Sequence, residues 1–399
     1  MYDLIVIGGG AAGFFAALAA KEVSPEASVA IFEKTAVALS KVRVSGGGRC
    51  NVTHACLDPR ALVGHYPRGE KELLGPFHRF QPKDTIEWFE SRGVFLKTEA
   101  DGRMFPVTDN SETIIECLVG EAGRLGVEIC FKRRVERIEK EGDHFVLYGK
   151  EGAIFECKKL ILATGSSVDG HGWAAHLGHT IQPPVPSLFT FNVPDSPLSG
   201  LSGVSFEKVR IQIEGTTLFQ EGPLLITHFG FSGPAALKLS AWGARYLNEK
   251  TYSVRLVINW LPALTLAEIT AQLHALKSNA LQQTLVHENL FRFPKSFWKT
   301  ILGSMGEQRL NDISLKALGT LAEKLHGDRY QVNGKTTHKE EFVTCGGVTL
   351  KEVNFKTMES KVCPGLFFAG EILDIDGVTG GFNFQNAWTS GFLAGSSAL

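Results

Sequence analysis

The sequence lacks an excess of charge of either sign: 41 Lys and Arg stand against 42 Asp and Glu, a net charge of −1. That excludes a strongly basic nucleic-acid protein, though it leaves room for a local basic groove. Cysteines number seven, an odd count scattered over 399 residues, which argues against a disulfide framework. No apolar run reaches membrane-spanning length. No secretory signal is visible, because Met1 leads straight into an apolar strand without a basic segment or cleavage site. Repeats and low-complexity tracts are absent. The histidines show no metal-ligand spacing, so no metal is expected. What remains is a globular composition, 44% apolar and 21% charged, long enough for two or three domains. The expected setting is reduced and cytoplasmic, without a membrane or an obligate protein partner.

The strongest positive signal lies at the start. Tyr2–Ile7 reads as a buried strand that runs into Gly8-Gly-Gly-Ala-Ala-Gly13 and an Ala-rich helix. Gly8 suits the tight turn, Gly10 lets backbone approach a pyrophosphate, and Gly13 lets the helix pack on the sheet. The helix N-terminus offers free N–H groups and partial positive charge to phosphates. A second strand, Ser28–Phe32, ends at Glu33, where a carboxylate accepts hydrogen bonds from a ribose. The acid favours FAD or NAD over a 2′-phosphorylated nucleotide. The plain alternative is a glycine-rich turn with no ligand. Near the other end, an apolar strand closes on Ala369-Gly370-Glu371, which points to a flavin enzyme more than to a plain nicotinamide dehydrogenase. A second Gly-x-Gly-x-x-Gly is missing, so NAD(P)H, if it is the electron donor, must dock transiently.

Between these ends the chain alternates helix and strand. Helices are expected over 84–92 and 111–125, and strands over 128–131, 144–148, 154–157 and 159–165. Pro183, Pro184 and Pro186 mark a boundary. Residues 187–260 read as short strands with one helix over 232–247. Helices are expected over 265–277, 280–290, 295–302 and 314–326. After Thr344 glycine-rich α/β sequence returns, so 183–343 reads as an insertion into a nucleotide-binding domain.

Several loops carry candidate chemistry. Ala163-Thr164-Gly165 ends a strand and would pass close to the adenosine side of a dinucleotide; a tight turn explains it equally. Glu371 would contact the ribityl chain or pyrophosphate, and Asp374 and Asp376 are equally placed by sequence. Gly380 and Gly381 would bring N–H groups to a flavin pyrimidine edge, with the following helix end stabilising a reduced, anionic ring. Ser45-Gly-Gly-Gly-Arg-Cys-Asn51, with Lys41, Arg43 and Arg49 around it, suits an anion or a stacked ring. Cys50 and Cys56 have five residues between them, with His54 inside, which departs from the disulfide-reductase spacing. Cys50 is either a proton donor beside the flavin or a small residue in a tight loop. Ser232-Gly-Pro234 reads as a Ser-capped helix start, with His228 just before it; the pair either meets substrate or is purely structural. Candidate RNA-binding elements are Lys41, Arg43 and Arg49, Lys132-Arg-Arg134 with Arg137, and Arg292, Lys295, Lys299 and Arg309 interleaved with Phe291, Phe293, Phe297 and Trp298. At helical spacing, however, such aromatics are more often core.

Four segments together, the Gly8 fingerprint, Ser45–Asn51, Thr227-His-Phe-Gly-Phe-Ser-Gly-Pro234 and Gly370-Glu371 through Gly380-Gly-Phe-Asn-Phe-Gln-Asn-Ala387, resemble the BaiN/YhiN-like family of FAD-dependent oxidoreductases. The resemblance implies an α/β fold: a Rossmann-like FAD-binding domain of the glutathione-reductase type over 1–182 and 344–399. It is interrupted by an insert holding a small β-barrel (183–263) and a helical bundle (264–343). It implies FAD contacts at Gly8, Gly10, Ala12, Gly13, Glu33, Lys34, Lys41, Ser45, Gly46, Arg49, Cys50, Asn51, Val135, Ala163, Thr164, Gly165, Gly370, Glu371, Asp374, Gly380, Gly381, Phe382, Asn383, Phe384 and Ala387. Cys50, His228 and Ser232 are the catalytic candidates. The implied reaction is reduction of an activated carbon–carbon double bond, in uridine of ribosomal RNA or in a small unsaturated carbonyl compound of the bile-acid-intermediate type. A flavin oxidase or monooxygenase, and a non-enzymatic RNA-binding flavoprotein, are the alternatives.

Overall fold

A computed structural model describes residues 1–279, 282–336 and 343–399. The chain forms two compact units, Met1–Val185 with Lys339–Leu399, and Pro186–His338.

In the first unit a parallel sheet is built around Tyr2–Ile7. It pairs with Val29–Phe32 on one side and Ile154–Leu162 on the other. Glu128–Cys130 and Leu366–Phe368 extend it outward, again in parallel. Leu4, Ile5 and Val6 have no exposed surface. A central parallel strand is buried on both faces, which is why this one reads as an unbroken apolar run. Ile154–Leu162 is one strand of nine residues, so the two strands expected at 154–157 and 159–165 are a single element. Its first half pairs antiparallel with His144–Gly149 and its second half parallel with Tyr2–Ile7, which accounts for the apparent break. The first helix, Ala11–Val23, lies against the last, Phe382–Ala398. Contact is at backbone distance: a Cβ placed on Gly395 would stand 2.0 Å from the Ala16 carbonyl oxygen.

The second unit carries a seven-stranded antiparallel sheet. One of its strands, Asp328–Asn333, pairs with Ser253–Asn259. A separate helical subdomain over 264–343 is therefore incorrect, because residues 328–336 return to the sheet. The expected helix over 280–290 is also incorrect where it is described. Residues 282–290 form turns, since Leu285 and Val286 give their N–H groups to Gln308 and Gly306, and Trp298 donates to the Leu285 carbonyl. Residues 280 and 281 lie outside the described residues. The helix expected over 232–247 is split at Gly243 into Pro234–Trp242 and Ala244–Glu249. Phe293, Phe297 and Trp298 are buried: the Phe297 ring centroid lies 4.7 Å from those of both Phe206 and Trp260, and Trp298 packs against Phe293. These rings are core, the reading their helical spacing favours, and do not offer a stacking surface for RNA. Phe291 packs against the same core, half-buried.

Candidate functional site

The first unit brings together segments far apart in sequence around the Gly8–Gly13 turn. Gly8 turns the chain with φ +114°, and a Cβ there would meet the Ala163 carbonyl oxygen at 2.3 Å. A Cβ on Gly13 would meet the Gly8 oxygen at 1.9 Å. Gly10 is different: extended backbone, no side-chain cap, and nothing within 4 Å of a Cβ placed there. Two of the three glycines thus close the turn, and the third faces open space at a helix N-terminus. That is the arrangement a pyrophosphate needs. Glu33 is fixed by its neighbours: its Oε2 accepts from Gly9 N–H at 2.9 Å and its Oε1 from Thr35 N–H at 2.8 Å. Each carboxylate oxygen keeps a lone pair, enough for a ribose hydroxyl. These residues fit an adenine dinucleotide.

Beside Glu33 a cleft of about 440 Å³, counted to its solvent-facing mouth, is lined by Gly8, Lys34, Val135 and Thr164. Arg133, Arg134, Ser167, Asp169 and Trp173 also line it. The Asp169 carboxylate stands 3.8 Å from both Lys34 and Arg134, holding the rim together. Arg133 and Arg134 of the basic run Lys132-Arg-Arg134 therefore line this cleft. Arg137 is paired with Glu139 and lies over the Tyr148 ring. Asp169 and Trp173 carry no signal in the sequence; they reach the cleft from a helix over Val168–His176.

The far end of the chain joins the same site. Gly370 comes within contact of Ala12, where a Cβ would stand 2.8 Å from the alanine methyl, and its N–H donates to Ser390 Oγ at 2.8 Å. Glu371 then meets Lys41 at 2.7 Å and accepts from Thr344 N–H at 3.3 Å. A Cβ on Gly165 would lie 3.7 Å from the same carboxylate. Asp374 and Asp376, equivalent by sequence, separate here. Asp376 is fully buried in a bidentate pair with Arg68, and Asp374 is half-buried, its N–H bonded to Val348.

The glycine loop departs from expectation. Ser40–Gly48 is helical at first and breaks at Ser45, after which Gly46 and Gly47 are left-handed. Its cations are already neutralised: Arg43 pairs with Glu112, and Arg49 pairs with Glu99 at 2.7 Å while lying over Phe105. The Glu99 carboxylate raises the Arg49 pKa further. A free anion cradle of Lys41, Arg43 and Arg49 is thus incorrect. Ser45 Oγ donates back to the Val42 carbonyl. Cys50 has no exposed surface, and burial pushes its thiol up to about 12. A thiol so reluctant to ionise is a poor acid near neutral pH. Cys50 and Cys56 are both free thiols. Asn51, with its amide turned to satisfy its neighbours, donates to the Thr53 carbonyl at 3.0 Å and accepts from Gly381 N–H at 2.9 Å. The Gly381 N–H is therefore committed to Asn51 and does not face a ligand.

The last helix starts at Phe382 without a side-chain cap. Its first N–H groups and its dipole give a positive end suited to developing negative charge. Gly380, at φ +130°, precedes it. Asn383 is occupied in gripping Gly377 through two hydrogen bonds of 2.8 and 2.9 Å. Phe384 stacks on Trp388, and Ala387 is buried a turn further on.

His228 and Ser232 belong to the second unit. His228 is exposed, beside Phe229 at 65% exposure, so it is not a core histidine. Ser232 ends a strand and its hydroxyl bonds Thr190 at 3.0 Å. Gly233, not Ser232, is the cap residue of the helix from Pro234. Arg292, Lys295, Lys299 and Arg309 are exposed on this unit. Among the described residues no cluster of metal-ligating side chains occurs, and no helix is long and apolar enough to cross a membrane.

Residues 2–397 match the family described as HI0933-like protein Rossmann domain. The chain belongs to the HI0933-like family. Among curated proteins it is similar to a ribosomal RNA dihydrouridine synthase of Escherichia coli strain K12, with 32% identity over all of this chain and 98% of that one. It is similar to a 3-dehydro-bile acid delta(4,6)-reductase of Clostridium scindens, 29% identical over 98% of both chains. Among solved structures, a 3-ketosteroid-delta4-(5alpha)-dehydrogenase from Rhodococcus jostii RHA1 aligns over all of this chain and 96% of its own. Its TM-score is 0.53 and its identity 16%, a likeness of fold. This member of the HI0933-like family is an oxidoreductase with a Rossmann-like α/β domain.

Proposed function

We propose that the protein is an FAD-dependent reductase of an activated carbon–carbon double bond, with a uracil ring of ribosomal RNA as first substrate and a small conjugated enone as second. The observation that carries the reading is full-length kinship, at 32 and 29% identity, with two relatives named for these two substrates. The open face at Gly10 and the fixed carboxylate of Glu33 support a dinucleotide cofactor. When bound, FAD supplies two-electron chemistry between NAD(P)H, a transient donor, and the double bond.

The chain's own residues are assigned as follows. The Gly8–Gly13 turn and the first helix end hold the pyrophosphate. Glu33 takes the adenosine ribose, and Lys34, Val135 and the 163–165 turn border the adenosine. Lys41 and Glu371 hold each other where the two ends of the chain meet, and there face the ribityl and pyrophosphate region. The end of the last helix stabilises negative charge on the ring. His228 and Ser232, on the second unit, are assigned to holding a substrate anion or carbonyl.

The test is mass spectrometry of cellular RNA. The gene is deleted, 23S rRNA is digested, and dihydrouridine is quantified. Loss of the signal, with failure of Gly10→Asp to restore it, supports the rRNA reading. An unchanged signal sinks it, and purified protein is then assayed with NADH and small conjugated enones.

A further inference from the structure

Phe382, the first residue of the last helix, is held by a segment that no motif marks. Tyr66, fully buried, donates its hydroxyl to the Phe382 carbonyl at 2.6 Å. The His65 ring stacks on Phe382 at 4.2 Å and 12°, and the His54 ring at 4.7 Å and 24°. The His65 carbonyl accepts from Val378 N–H at 2.9 Å. Arg68 and Asp376 pair as an isolated antiparallel bridge and again through their side chains. The carboxylate of that pair has no exposed surface, and the guanidinium only 13%. A buried ion pair is weak evidence for stability, because desolvation offsets the attraction. Its better attested use is to fix a register, and here it fixes His65–Gly69 against 375–378.

Resting on the flavin reading above, we propose that His65–Gly69 is a positioning element for the N-terminal end of the last helix. It sets where the free N–H groups at Phe382–Phe384 point. Through them it sets how strongly that end stabilises a reduced, anionic isoalloxazine ring. An electrostatic donor acts by pre-orientation, so a small displacement weakens it for the charged state more than for the neutral one.

The experiment uses full-length protein loaded with FAD: wild type, Tyr66→Phe, Arg68→Lys, and the paired Arg68→Gln/Asp376→Asn. FAD dissociation and the flavin midpoint potential are measured for each. Tyr66→Phe and the paired variant are expected to hold oxidised FAD within threefold of wild type. Their preference for reduced over oxidised flavin should fall about tenfold, a potential lower by ~30 mV for a two-electron couple. Arg68→Lys, which keeps the charge, should recover most of that shift. FAD-loaded variants whose potentials equal that of wild type overturn the inference. If the charge-pair variant does not fold, Tyr66→Phe, which removes one hydroxyl, decides alone. A wild-type protein that binds no FAD sinks the flavin reading and this inference together, an outcome distinct from bound FAD with unshifted potentials.

Discussion

Gly10 and Gly13 sit three residues apart in one turn, yet alanine should act on them in opposite ways. At Gly13 a Cβ would stand 1.9 Å from the Gly8 oxygen and 3.4 Å from a Val6 methyl. Ordinary carbon–oxygen contact needs well over 3 Å, so the helix must move by roughly 1 Å or more. Overpacking of that kind costs about 1–3 kcal/mol. The better helix propensity of alanine returns less than about 1 kcal/mol. Gly13→Ala should therefore destabilise the cofactor-free protein by about 1–2 kcal/mol and lower its Tm by roughly 2–8 °C. At Gly10 the backbone is already extended, φ −94° and ψ −173°, and the Cβ meets nothing within 4 Å. Gly10→Ala should not lower the Tm of the cofactor-free protein, because neither strain nor a clash arises and alanine has less chain entropy to lose on folding. It places a methyl where pyrophosphate oxygens approach the backbone, so FAD should bind at least about tenfold more weakly, ~1.4 kcal/mol. Scanning calorimetry of stripped protein and fluorescence titration with FAD read the two effects separately. Equal Tm losses for both variants, or wild-type FAD affinity in Gly10→Ala, would refute this account.

Further expectations follow from buried titratable groups and from the long-range pairs. His179 is buried between Ser360, 2.8 Å from Nε2, and Glu352, 3.1 Å from Nδ1. Burial lowers its pKa from an ordinary value near 6.5, outweighing the Glu352 carboxylate, which pulls the other way. The unfolded chain thus binds the extra proton first, and stability present above about pH 6.5 should be lost as pH falls towards the folded pKa. Calorimetry should show a Tm that drops between pH 7 and 5. His179→Gln should flatten that slope, and an unchanged slope would count against the assignment. Cys50, fully buried with its pKa raised to about 12, should resist iodoacetamide at pH 8 in the folded protein, as peptide mass spectrometry would show. Cys50→Ser should retain reductase activity within about threefold; a loss beyond a hundredfold would return the thiol to the chemistry. Lys41→Met leaves Glu371 without its 2.7 Å cation. Because the Lys41 side chain is exposed, the cost in stability should be under about 1 kcal/mol. FAD affinity, measured by titration, should fall several-fold.

The nucleotide half of the fold was legible because its signals are local. A two-sided buried strand, a glycine turn, an Ala-rich helix and an acid after the next strand lie within residues 2–33, and backbone sterics alone join them. The run from Ala369 to Ala387 was legible for the same reason. Sequence could not show which charges are free. Arg49 reads as a loop cation until Glu99 and Phe105 arrive beside it, and Lys41 meets Glu371 across 330 positions. Periodicity favoured a core for the Phe293–Trp298 aromatics, and the packing of Phe297 against Phe206 and Trp260 shows which neighbours enclose it. The Tyr66–Arg68 clamp was invisible because one tyrosine and one arginine in a turn carry no pattern. Residue order alone determined the turn, the strand and the acid, since each depends on neighbours within a few residues. Which charges are neutralised, which thiol is sealed and which rings are core was decided by the tertiary structure, because desolvation and pairing depend on partners that only folding brings near.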